Sequence, residues 1–120
     1  YGWVATRRAS IGALGISFSV PPGNRYLWDF VTLPRWRGRG IYPRLLQAIL
    51  RREVEADRFW IGHDVPNVAS ARGILKAGVT KVGEIYWLPD GSLAMAAVSS
   101  LERARAGAAL LGIRLLQANR

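Results

Sequence analysis

Residues 33–46 read LPRWRGRGIYPRLL, four arginines and two glycines set between a strand-like segment and a helix-like one. Upstream, 26–32 (YLWDFVT) carries the aromatic and β-branched residues of a strand, and Pro34 cannot extend its ladder. Downstream, Ile41, Leu45, Leu46, Ile49, Leu50 and Val54 recur at the spacing of one helical face. Pro43 falls in the first turn of that helix, where a missing N–H costs nothing. A glycine-rich turn from strand to helix leaves several backbone N–H groups unpaired at the positive end of the helix dipole. Gly38 and Gly40 lack the Cβ atoms that would hold a phosphate away, and each charge-assisted bond made there is worth about 1.5–3 kcal/mol. The corner is an anion socket, better suited to a pyrophosphate than to a single carboxylate.

Working outward, 1–6 (YGWVAT) and 13–20 (ALGISFSV) are strand-like, bounded by Arg7-Arg8 and by Pro21-Pro22-Gly23, and suggest an antiparallel meander. A short apolar strand over 58–63 (RFWIGH) follows the helix, so the strands at 26–32 and 58–63 are most simply parallel. Asn67 can cap a second helix over 68–77 that Gly78 stops. Strands at 81–88 and 92–98 flank a PDG turn. The tail, 99–119, opens with Ser99 and Glu102 in capping-box spacing and reads as a third helix.

With 120 residues and half of them hydrophobic, the chain is long enough to bury a core. It has no cysteine, which removes disulfides, thiolate metal sites and cysteine nucleophiles. No apolar run is long enough to span a membrane and no signal-peptide pattern opens the sequence, so a soluble cytoplasmic protein is expected. The formal net charge is +9, most of it arginine, which favours a ligand carrying phosphates. A P-loop is excluded, because no lysine precedes position 76. A dinucleotide loop would need a third glycine where Pro43 stands, and a doubly wound unit where the strands suggest a meander. A plain helix entrance with arginines in solvent is the remaining bland reading.

The residues RWRGRG (Arg35 to Gly40) match the R/Q-x-x-G-x-G/A signature of the GNAT superfamily of N-acetyltransferases, placed between strand and helix as in that family. NVASARGILKAGV (67–79) resembles the family's later N-x-x-[A/S]…K-x-G-F segment, in the right order after the next strand. The resemblance spans 1 to about 98 and implies a GNAT-like α/β (α+β) domain: a mixed, largely antiparallel sheet with a central parallel strand pair and flanking helices. Residues 99–120 are then a C-terminal helix packed on that domain or on a partner chain. By the same resemblance the backbone of Arg37, Gly38, Arg39, Gly40, Ile41 and Tyr42 would hold the pyrophosphate of acetyl-CoA. Phe30, Val31 and Thr32 would bond the pantetheine arm in a V-shaped opening between the two parallel strands, and Asn67 and Ser70 would contact the cofactor. No metal is implied.

The reaction implied is attack of an amine on a thioester carbonyl, which needs a base and a proton donor. Many family members carry a tyrosine acid where this chain has Ile74, and a substitute is not evident. Asp29, the acidic residue of the central strand, and Tyr86 are the candidates for catalysis; His63, Asp64 and Tyr26 are further titratable groups near the expected cleft. The family's fold usually begins with a strand and two helices, whereas these residues start in the meander, so a fragment of a longer chain, a wall supplied by a partner or a reduced relative is expected. A non-catalytic module that binds CoA or a protein is therefore the alternative to an enzyme. Nucleic acid is not expected, since the arginines lack a stacking platform apart from Trp36. In the tail, Leu101, Ala104, Ala108, Leu111 and Leu115 share a stripe while Leu110, Ile113 and Leu116 lie outside it, so a second covering surface is expected, in the domain itself or in a homodimer.

Overall fold

A computed structural model describes residues 1–116. It is a mixed α+β structure that divides into two compact units, Tyr1–Arg7 with Val20–Thr80, and Arg8–Ser19 with Lys81 onward. The first unit holds strands β1 (Trp3–Ala5), β4 (Asn24–Trp28) and β5 (Arg58–Ile61) in the order β1-β4-β5, with helices α1 (Ile41–Arg52) and α2 (Val68–Lys76). β1 runs antiparallel to β4, and β4 runs parallel to β5, as the strand–helix–strand pattern predicts. The core of this unit is Leu27, Leu46, Ile74 and Ala77, with Val4, Phe30, Tyr42, Ile49, Phe59 and Ile61 packed around them.

α1 starts at Ile41 as its periodicity predicts and ends with Arg51 and Arg52 in its last turn, cations placed favourably at the negative end of the dipole. α2 is capped by Asn67, whose side-chain oxygen accepts from the N–H of Ser70 at 3.1 Å. Beyond it, Gly78 adopts the left-handed φ of 91° and the Val79 N–H returns to the Ile74 carbonyl at 3.3 Å, which closes the helix end.

The second unit contains the hairpin of β2 (Arg8–Ile11) and β3 (Ile16–Ser19), then β6 (Gly83–Trp87), β7 (Leu93–Ala97), helix α3 (Leu101–Leu111) and β8 (Arg114–Leu116). The sheet order is β6-β7-β8, with β6 antiparallel and β8 parallel to β7. α3 packs on β3, β7 and β8 and buries Ala104, Gly107, Ala108 and Leu110, so more than one of its sides is covered.

Three expectations are corrected. The tail helix does not run to 119: Gly112, left-handed at φ 69°, ends it, and Ile113 leads into β8, an ordinary exit of a helix into a strand. Residues 117–120 lie outside the described region. Ser100 caps α3 by accepting from the Arg103 N–H, while the Ser99 hydroxyl donates to the Lys81 carbonyl. The short turn expected after the Arg7-Arg8 boundary instead holds a strand, Arg8–Ile11, with alternating exposure.

Candidate active site

The site is prepared by a fault in β4. β1 and β4 pair Trp3 with Trp28, yet Tyr1 exchanges both backbone hydrogen bonds with Val31, each at 2.9 Å. Asp29 and Phe30 therefore stand opposite the single residue Gly2, a β-bulge. Asp29 takes the bulge's left-handed conformation, φ 55°, the one non-glycine residue with positive φ among those described. Aspartate tolerates that region better than most side chains. The strand expected over 26–32 thus ends as a regular ladder at Trp28, and its last parallel partners are Leu27 and Ile61.

Beyond that pair, Val31 turns both backbone groups toward Tyr1, so by alternation Phe30 and Thr32 turn theirs to the side where β5 no longer pairs. The Thr32 carbonyl accepts from Arg37 Nε at 2.9 Å. The Phe30 backbone makes no hydrogen bond among the described residues. Its side chain is core: the ring lies 5.7 Å from that of Tyr42 and against Gly2, where a Cβ would fall 2.2 Å from it. Only the backbone of Phe30 is left to offer a ligand.

The arginine-rich loop then turns. Pro34–Trp36 forms a 3-10 turn, and Gly38 and Gly40 follow with φ of 75° and 71°, values that favour glycine. Gly40 stands at the N-cap of α1 and no side chain caps the helix. Among the described residues, the N–H groups of Gly38, Arg39, Gly40, Ile41 and Tyr42 find no acceptor in the loop or the preceding turn. A Cβ on either glycine would meet nothing within 4 Å, so open space faces the nest. Arg39 stacks on Trp36 at 4.9 Å and holds a positive charge beside it.

A cleft of about 180 Å³ opens here, with Val31, Thr32, Trp36, Ile41 and Tyr42 among its walls. It brings together four of the residues expected to meet the cofactor. Two more, Asn67 and Ser70, are tied to the same helix start: the Ser70 hydroxyl lies 3.2 Å from that of Tyr42. Tyr42 packs so closely on α2 that a Cβ at Gly73 would fall 2.2 Å from its ring. Burial pushes the Tyr42 phenol above its ordinary pKa, against a smaller lowering by Ser70.

The titratable candidates are less well assembled. Asp29 is exposed at the bulge. His63 and Asp64 are exposed beyond β5, and His63 Nδ1 donates to the Asp64 carbonyl at 2.8 Å. Tyr26 is 8% exposed and burial raises its pKa. Ile74 is buried in the core beside Leu27, Leu46 and Ala77. Tyr86 belongs to the second unit, where its hydroxyl donates to Glu84 while Lys81 Nζ sits 2.6 Å from the other carboxylate oxygen. Hydrogen bonds from Lys81 and then Tyr86 hold the Glu84 carboxyl below its usual range, and the bond to Glu84 pushes the Tyr86 phenol up. A phenol so held is a weaker acid.

Sequence reasoning missed the bulge and the bond from Arg37 to Thr32. An aspartate inside an aromatic strand was the one available sign of the first; the second is set by loop geometry and leaves no sequence pattern. Among the described residues no helix is long and apolar enough to cross a membrane.

Comparison with known proteins adds one finding. The model of the acetyltransferase (GNAT) family matches residues 3–78, a stretch that holds the bulge, the glycine nest and α2 but not Tyr86. No curated protein and no solved structure gives a significant match.

Proposed function

Because the chain belongs to the acetyltransferase (GNAT) family, we propose that it moves an acetyl group from acetyl-CoA to a primary amine of a small molecule or protein. The observation that carries this reading is the nest: two left-handed glycines leading into an uncapped helix, with five consecutive N–H groups unspent. Those N–H groups would bind the pyrophosphate, with Arg39 adding charge at the flank. The Phe30 backbone, on the side where β4 and β5 part, would orient the pantetheine arm. The Thr32 carbonyl, which already accepts one bond from Arg37 Nε, keeps a second lone pair for the same arm.

In the transfer, the amine nitrogen bonds to the thioester carbonyl carbon, the carbon–sulfur bond breaks, and the thiolate takes up a proton as the ammonium nitrogen loses one. Asp29, exposed on the strand that leads to the arm, is the proton acceptor in this reading, acting directly or through water. Tyr86 is the other catalytic candidate, to be tested separately by Y86F. A second reading, a module that binds CoA without turnover, is favoured by Ile74: a core side chain stands where many relatives keep an acid.

Calorimetric titration with acetyl-CoA, followed by thiol release with a panel of primary amines, separates the two. Binding with turnover supports the transferase; binding alone supports the module. G38D places a carboxylate in the nest and should weaken acetyl-CoA at least tenfold, about 1.4 kcal/mol. Unchanged affinity in a folded G38D protein refutes both readings.

A further inference from the structure

The outer surface of the helix layer in the first unit carries charge that the nest does not use. α1 and α2 share one core and lie side by side: the Tyr42 ring meets Gly73, and Gln47 Nε2 donates to the Lys76 carbonyl at 3.4 Å. Arg44 and Arg51 stand three residues before and four after Gln47, so they share its side of α1, the side turned to α2. Arg72 and Lys76, one turn apart, bracket Gly73 on α2. The seam between the helices is thus edged by four exposed cations.

Nothing nearby answers this charge. Neither helix contains an aspartate or glutamate. Among the described residues, none of the four cationic heads has an ion pair, a hydrogen bond or a ring contact. The acids nearest in sequence lie outside the helices: Glu53 and Glu55 follow α1 at the end away from the nest, Glu53 already bonded to Arg25, and Asp64 precedes the cap of α2. Arg72 and Lys76, at i and i+4, repel each other unless an anion lies beside them.

The end of the seam nearest the nest narrows the anion. Arg44 follows Tyr42, the last nest residue, by two positions, about 3 Å of helix. Arg72 is brought to the same level by the packing of Tyr42 on Gly73, its neighbour. Two guanidiniums therefore stand within a side chain's reach of a pyrophosphate held in the nest. In coenzyme A the ribose that carries the pyrophosphate on its 5′ oxygen carries a further phosphate on its 3′ oxygen, tethered one sugar away. A guanidinium fork can make two parallel bonds to such a group. Arg37 and Arg39 are engaged elsewhere, on the Thr32 carbonyl and on Trp36.

We propose that Arg44 and Arg72 form a subsite for the ribose 3′-phosphate, so that the protein selects acetyl-CoA over donors that lack this group. The inference rests on the acetyl-CoA reading and adds to it two side chains from the helices behind the nest.

The test is calorimetric titration of the full chain at low salt with acetyl-CoA and with acetyl-3′-dephospho-CoA. The dephospho compound should bind about tenfold more weakly, and the gap should narrow as salt rises. R44Q and R72Q should each weaken acetyl-CoA about fivefold and leave the dephospho compound as it was, which erases the preference. R51Q removes the same charge about 10 Å further along α1 and should change neither affinity by more than about twofold. All three positions are exposed, and melting curves establish that the variants are folded. Equal affinity for the two donors overturns the subsite while leaving acetyl-CoA binding in place. So does a preference that survives the R44Q/R72Q double variant, or an R51Q effect as large as that of R44Q, which would reduce the seam to its general field. Binding of neither donor overturns the acetyl-CoA reading and the subsite together.

Discussion

Adding one methyl group at Gly73 tests the geometry of the cofactor loop from behind. An alanine Cβ there would lie 2.2, 2.7 and 3.3 Å from Cδ2, Cε2 and Cγ of the Tyr42 ring. Carbon atoms meet comfortably at about 3.5–4.0 Å, so ring and methyl must separate by more than an ångström. The ring has little freedom, with Phe30 at 5.7 Å and the Ser70 hydroxyl at 3.2 Å from its own. Overpacking of this kind costs about 1–3 kcal/mol. Alanine in a helix interior returns up to about 1 kcal/mol relative to glycine. G73A should therefore destabilise by about 0–2 kcal/mol, and at about 1 kcal/mol the melting temperature falls by about 4 °C. Tyr42 is also the second residue of α1, so its displacement should weaken acetyl-CoA as well. In a Y42A background the clash is gone and G73A should stabilise through helix propensity alone. Urea unfolding of the four proteins, followed by tryptophan fluorescence, gives a coupling expected at about 1 kcal/mol or more. A G73A protein more stable than the parent, or an equal change in both backgrounds, refutes the packing of α1 on α2.

D29G should relieve the left-handed backbone at the bulge and raise stability by about 0.5 kcal/mol, while thiol release falls; unfolding and activity measured on one sample check whether the two effects run in opposite directions. L46A, at a side chain with 0% exposure, should cost about 2–5 kcal/mol by denaturant unfolding. The Glu84 carboxyl is held low in the folded state, so its contribution to stability is present at neutral pH and lost as pH falls through that lowered value. The Tyr86 phenol is held high, so its contribution persists past its ordinary 10.0 and is lost as pH rises through the raised value. E84Q should bring the Tyr86 titration back toward 10.0, read as phenolate absorbance against the parent protein.

Much of the first unit was legible because its signals are local. The apolar spacing from Ile41 gave α1, Asn67 and Gly78 bracketed α2, and the strands on either side of α1 had to be parallel. The glycine nest was legible for the same reason, since glycines before an uncapped helix dictate unspent N–H groups wherever they occur. The misses share a different cause. Asp29 sits among Trp28 and Phe30 as if in a continuing strand, and only the register against Tyr1 and Trp3 shows the extra residue. Arg8 and Ser10 face solvent on β2, so a half-polar edge strand looked like a turn. The apolar run after Gly112 suits a helix as well as a strand until β7 supplies a partner.

The hairpin at Arg8–Ser19 has a consequence for the order in which the molecule assembles. Val20 donates its N–H to the Arg7 carbonyl at 2.7 Å, so the chain leaves the first unit and returns to it at one point. Closing so short an excursion costs little loop entropy. The hairpin itself belongs with segments that begin at Lys81, about 60 residues later, and such non-local contacts form slowly. Refolding should therefore proceed in two phases, the first unit condensing early while the β2–β3 ribbon waits without its packing partner. Joining Arg7 to Val20 through a two-residue turn, and ending the chain at Thr80, would leave the fast phase and remove the slow one.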